Sequence, residues 1–83
     1  MKYTVIWKPS ALDRLTEIWL AAEDKDGVSR AVTKIDQFLG QQSAAGESYF
    51  EGTRLIVAPP LVVVYEVDHG DRRATVSRVA YRP

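Results

Sequence analysis

Residues 61–68 read Leu61-Val62-Val63-Val64-Tyr65-Glu66-Val67-Asp68, and the reading of the fold starts from how this stretch divides between two faces. β-Branched and aromatic residues in an unbroken run predict a strand. Alternation then sends Leu61, Val63, Tyr65 and Val67 to one side, and Val62, Val64, Glu66 and Asp68 to the other. The first set is apolar throughout, and the second begins with two valines before it turns acidic. A strand with apolar residues on both sides is normally covered on both.

Working outward, two more strands are predicted, over 53–58 and 74–81. Pro59-Pro60 separates the first from the central run, and His69-Gly70-Asp71 makes the turn to the second. Connections this short favour antiparallel pairing, so the C-terminal half is expected to be a three-stranded meander. Upstream, Tyr3-Thr4-Val5-Ile6-Trp7 reads as a first strand, closed by Lys8-Pro9-Ser10, with Pro9 suited to a first helical turn. Leu12, Leu15, Ile18, Trp19 and Ala22 recur at helical spacing, and Trp7 and Trp19, each within an apolar stripe, are assigned to the core. The segment 23–27 breaks that helix and offers Asp26 as a cap for the next one. Val28, Ala31, Val32, Ile35, Phe38 and Leu39 form a second stripe, with Gly40 as the expected stop. Residues 41–52 return the chain to the sheet.

The result is an α+β fold of order β-α-α-β-β-β, a helical hairpin on one face of a small, mainly antiparallel sheet, in one domain over 1–83. Two helices cover only one face of such a sheet. The other, carrying Val62, Val64 and, on this reading, Ile56, has no cover from the chain itself. These three are candidate contacts for a protein partner.

Composition narrows the chemistry. The chain has 83 residues, 46% of them hydrophobic and 27% charged, an ordinary balance for a small folded domain. It contains no cysteine and one histidine, His69, so disulfides, thiolate metal sites and multi-histidine sites within one chain are excluded. Eleven basic residues balance eleven acidic ones, whereas nucleic-acid binders generally carry a basic excess. No signal-peptide core opens the sequence, and the longest apolar run is broken by Pro59-Pro60 and too short to span a bilayer. No membrane association, metal or small-molecule cofactor is therefore expected, and the cytoplasm is the expected compartment. Glu66, Asp68 and Asp71 read as outward polar positions, His69 as a turn residue, and Arg72 and Arg73 as solvated charges. Arg54, Arg78 and Arg82 are candidates for a cationic patch that contacts a target, the last two sharing strand parity.

At this point the sequence resembles the RelE/ParE superfamily of type II toxin–antitoxin toxins. Trp7-Lys8-Pro9-Ser10-Ala11 with Leu12, Leu15 and Ile18 is similar to the start of that family's first helix. Gly52-Thr53-Arg54-Leu55-Ile56-Val57 followed by 61–67 resembles its paired middle strands, and Arg78-Val79-Ala80-Tyr81-Arg82 its closing strand. The resemblance implies a toxin neutralised by a cognate antitoxin. It also implies one of two targets: DNA gyrase, bound without catalysis by ParE-like members, or the ribosome with mRNA, cut by RelE-like members. In the nuclease branch, basic side chains on the open sheet face stabilise charge during cleavage. Arg54 and Arg82 match such positions, and Tyr81 stands in for a closing tyrosine if the last strand shifts register; these are the catalytic candidates. Ile56 and Val62 fall where charged side chains are expected, and those departures favour the ParE-like branch over a metal-independent endoribonuclease. A third reading is a non-toxic relative that retains antitoxin binding.

Overall fold

A computed structural model describes residues 2–42 and 47–82, with the side chains of Gln42 and Glu47 excepted. The elements follow as β1 (Thr4–Trp7), α1 (Pro9–Ala21), α2 (Lys25–Gln42), β2 (Glu47–Ser48), β3 (Arg54–Ala58), β4 (Leu61–Asp68) and β5 (Arg73–Tyr81). The expected order is present, with the two-residue β2 added inside the segment assigned to a connection; residues 43–46 of that connection lie outside the described residues. The sheet order is β1-β5-β4-β3-β2. The helical hairpin carries the chain over the sheet, so β1 lies parallel to β5 while the remaining pairings are antiparallel.

α1 starts at Pro9, which fits the helical φ and whose missing N–H would have had no partner in the first turn. It ends where Ala22 turns extended, its N–H donating to the Ile18 carbonyl at 2.9 Å. Lys25 Nζ then donates to the carbonyls of Ala22 (2.9 Å) and Leu20 (3.2 Å), two acceptors that the helix end leaves open. The buried side of α1 is Ala11, Ile18 and Ala22 with Leu15 half-buried beside them, while Leu12 and Trp19 are 47% and 40% exposed. The stripe is thus turned by about one position from the expected one. Trp19 leaves the core and carries the Lys25 ammonium 5.3 Å from its ring centroid. Trp7 remains packed against the core and donates through Nε1 to Asp36 on α2 at 3.0 Å.

The cap of α2 is Asp24 rather than Asp26. Its Oδ1 accepts the Gly27 N–H at 2.9 Å, the bond of an N-cap carboxylate to the third helical residue, and Asp26 already lies inside the first turn. Gly40 does not stop this helix, which runs to Gln42. Its carbonyl, among the last four of the helix, accepts the Tyr3 N–H at 2.7 Å and so ties the start of β1 to the end of α2. Along α2, Val28, Ala31, Ile35 and Leu39 are buried completely or nearly so, as their spacing predicts.

These side chains meet Leu61, Val63 and Tyr65 of β4, each fully buried, together with Ala74, Val76 and Val79 of β5 and Ala58 of β3. The helices therefore cover the side of β4 that alternation assigned to them. One irregularity crosses this sheet. Val64 lies opposite Arg78 but Tyr65 lies opposite Val76, so Ser77 is an extra residue in β5, and its Oγ donates to the Val64 carbonyl at 3.2 Å. A bulge of this kind reverses the facing of every residue beyond it. Ala74 and Val76 point to the helices before the bulge, and Val79 and Tyr81 after it.

Candidate protein-binding face

The face of the sheet away from the helices is built from alternate residues of each strand. Val62 and Val64 of β4 lie between Leu55 and Val57 of β3 on one side and Arg78 and Ala80 of β5 on the other. Val57 is 57% exposed, while Val62 and Val64 are half-buried. The apolar strip passes into Glu66 and Asp68 toward the far end of β4. Beside it stands the β2–β3 turn, held by the Tyr49 N–H donating to the Thr53 carbonyl at 2.9 Å and the Phe50 N–H donating to Thr53 Oγ1 at 3.1 Å. Glu51 and Gly52 take positive φ there, of 49° and 80°. The turn presents Tyr49 and Phe50 to solvent at 62% and 67% exposure.

Among the described residues, two depressions lie on this face. One, of about 440 Å³, is lined by Tyr49, Phe50, Val64, Glu66, Ser77 and Arg78 among others. The second, of about 460 Å³, has Leu55, Val62 and Val64 at its base and Arg14, Arg78 and Arg82 around it. Val64 and Arg78 border both.

Ile56 does not belong to this face. It pairs with Val63 and packs on the helical core, and Val57 occupies the open position beside Val62. The reason is the two-residue Pro59–Pro60 turn, which sets Ala58 opposite Leu61 and carries that register back along the hairpin. The same register places Arg54 opposite Tyr65, on the helical parity, away from Arg78 and Arg82. The expected convergence of Arg54, Arg78 and Arg82 therefore does not occur, and Arg14 of α1 takes the third place. Tyr81 lies opposite Leu61 and packs against the core, so Arg54, Tyr81 and Arg82 do not form one catalytic constellation. Arg14 carries no sequence signal for this role. It reads as a polar residue off the apolar stripe, and only the placement of α1 against β5 brings it to the sheet.

The other polar residues act locally. His69 Nδ1 is 2.7 Å from Tyr3 Oη, and Asp71 pairs with Arg73 at 2.8 Å and donates its N–H to Asp68 Oδ1 at 3.1 Å. Among the described residues no group of three His, Cys, Asp or Glu side chains is placed to hold a metal, and no described helix is long and apolar enough to cross a membrane.

A helical hairpin on a mixed sheet, with an uncovered apolar strip on the opposite side, defines the class: a RelE/ParE-like fold with one face open. The sequence matches the family described as ParE toxin of type II toxin–antitoxin system, parDE, over residues 5–82, and the chain belongs to that family. Solved structures share the fold at low identity. The toxin–antitoxin complex RelBE2 from Mycobacterium tuberculosis aligns with a TM-score of 0.81 at 17% identity, over 99% of this chain and 93% of that one. A chromosomal ParDE system from P. aeruginosa gives 0.72 at 15% over 99% and 98%, and the archaeal RelE–RelB complex from Pyrococcus horikoshii OT3 gives 0.69 at 13% over 99% and 97%. No curated protein sequence matches this chain significantly. The chain is thus a type II toxin–antitoxin toxin of the RelE/ParE superfamily.

Proposed function

We propose that this toxin acts in the cytoplasm by binding a cellular protein, DNA gyrase in line with the ParE family, and is neutralised by a cognate antitoxin laid over the open sheet face. It works as a single domain and without catalysis of its own. The observation that carries this reading is the pair Val62 and Val64, aliphatic side chains on the central strand with no helix above them. Fully burying such a side chain is worth about 1.5–3 kcal/mol. A partner covering both, with Val57 beside them, gains enough to offset part of the cost of its own ordering. Two of the structurally similar proteins are toxin–antitoxin complexes and a third is a ParDE toxin–antitoxin system, which supports an antitoxin as that partner.

Expression of the chain alone, with growth, DNA supercoiling and mRNA integrity read together, tests the target. Growth arrest with lost supercoiling control and intact mRNA is the expected result. Ribosome-dependent mRNA cutting that disappears in Arg82→Ala establishes the RelE-like endonuclease instead, and normal growth establishes a non-toxic relative. For the antitoxin, Val64→Asn changes an apolar contact without adding charge; it is expected to weaken antitoxin binding while the free toxin stays folded. Unchanged affinity removes this face from the interface.

A further inference from the structure

α1 carries more apolar surface than the fold buries. Leu12, Trp19 and Leu20 are 47%, 40% and 65% exposed. Leu12, Thr16 and Leu20, each four residues from the next, form one ridge along the helix, with Trp19 beside its last turn. The ridge is symmetric about Thr16, a small side chain with a leucine on either side. Lys25 fixes its C-terminal end: the ammonium lies 5.3 Å from the Trp19 ring centroid and donates to the carbonyls of Leu20 and Ala22. The charges at the two ends follow a pattern as well. α1 has no acidic residue in its first turn and no basic residue in its last. Lys8 stands at its N-cap and Glu23 just beyond its C-terminal end, where the helix dipole disfavours a cation and an anion respectively. Both side chains are exposed, and neither makes a side-chain hydrogen bond or ion pair among the described residues. Asp24, next to Glu23, is committed to the cap of α2.

We propose that this side of α1 binds a second copy of the chain, as an antiparallel pair of α1 helices with the two-fold axis at Thr16. The inference goes beyond the antitoxin reading and does not rest on it. A small residue at the crossing point lets two helices approach closely, and the two-fold sets Leu12 of each copy beside Leu20 of the other. Antiparallel order also carries Lys8 of each copy to the C-terminal end of the other helix, beside that copy's Glu23. The charges that oppose the dipole of their own helix then match the dipole of the neighbour. A parallel pair would set Lys8 against Lys8. One helix thus supplies both members of each complementary contact, which is what a self-complementary interface requires. The pairing is weak. α1 has 13 residues and is about 20 Å long, so its ridge offers only about 300 Å² per copy, against the about 800 Å² of a standard interface. It lies on the helical side of the sheet, so the dimer presents two open faces at once, and a bivalent partner gains avidity from both.

Sedimentation velocity of the purified chain, at concentrations on either side of about 10 µM, tests this. The parent is expected to pass from monomer to dimer as concentration rises. Leu20→Gln should weaken the dimer by more than about tenfold and Thr16→Arg should abolish it, because two-fold symmetry counts each change twice. Both positions are exposed, and circular dichroism confirms that the variants fold. Lys8→Glu and Glu23→Lys should each weaken the dimer about tenfold at low salt. Mixing those two variants should restore it, since every contact between the two different copies again joins opposite charges. Val57→Gln, on the open sheet face, is the control and should leave the dimer intact. The proposal is overturned if the parent stays monomeric throughout, or if Leu20→Gln and Thr16→Arg dimerise like the parent. It is also overturned if the mixed charge variants associate no better than either alone, or if Val57→Gln by itself dissolves the dimer. The antitoxin reading is judged apart from these results, by the effect of Val64→Asn on antitoxin binding.

Discussion

The two sides of β4 differ in what covers them, although both begin as valine-rich rows. Leu61, Val63 and Tyr65 lie against α2 and the flanking strands with no exposed surface, while Val62 and Val64, one residue away in each case, are only half-buried. Adjacent residues in a strand point to opposite faces, so the same composition yields fully buried residues on one side and half-exposed ones on the other. Hydrophobicity alone therefore does not tell a covered face from an open one. What separates them is whether the chain has enough helix to cover both faces, and a hairpin of this size covers one.

Charging the covered side has the largest expected effect. Ile35 is fully buried against the sheet, and Ile35→Asp places an ionised group there without a partner. The variant is expected to lose more than about 4 kcal/mol and fail to fold alone, read as a lost cooperative thermal transition. Melting like the parent would show that α2 does not pack as described. Next in size is a matched pair on β4 itself. Leu61→Ala on the covered side should cost about 2–5 kcal/mol in urea denaturation, whereas Val62→Ala on the open side should cost less than about 1 kcal/mol. Equal costs would mean that the two faces are covered alike in the free protein.

Smaller effects are expected at the edges of the covered layer. Asp24→Ala removes the cap of α2 and is expected to destabilise by about 1 kcal/mol, with Asp26→Ala closer to neutral because its side chain is not the acceptor of the Gly27 N–H. A larger loss from Asp26 would restore it as the cap. At the bulge, Ser77→Ala deletes the hydrogen bond to the Val64 carbonyl and should cost about 0.5–1.5 kcal/mol. Amide exchange of Val79 and Arg78 in that variant checks whether the bulge persists without the hydroxyl; unchanged stability and exchange would show that the hydroxyl does not hold it.

Much of the covered layer is legible in the sequence because local periodicity and burial coincide there. The i, i+3, i+4 stripe from Val28 to Leu39 admits one buried face, and the alternation of 61–67 admits one register toward it. The position of Ile56 was legible too, although the expectation put it on the open face. A two-residue turn at Pro59-Pro60 pairs Ala58 with Leu61, and counting back from there sets Ile56 opposite Val63. α1 is harder to read because it has more large apolar residues than it buries. Leu12, Trp19 and Leu20 compete with small Ala11 for the inward side, and close approach to β5 favours the small residue.

By itself the sequence determined the order of elements, the helical stripe of α2, the central strand with its two apolar sides, and the shortage of cover for one of them. The tertiary structure decided the make-up of the open face. The bulge at Ser77 reverses β5, so that Arg78 shares the face of Val64 instead of following Ala74 and Val76 toward the helices. The packing of α1 on β5 brings Arg14 to the same depression, across more than sixty positions of sequence from Arg78. Period and propensity are properties of a few neighbouring residues, whereas a bulge and a helix-on-strand contact depend on which partner lies across the gap.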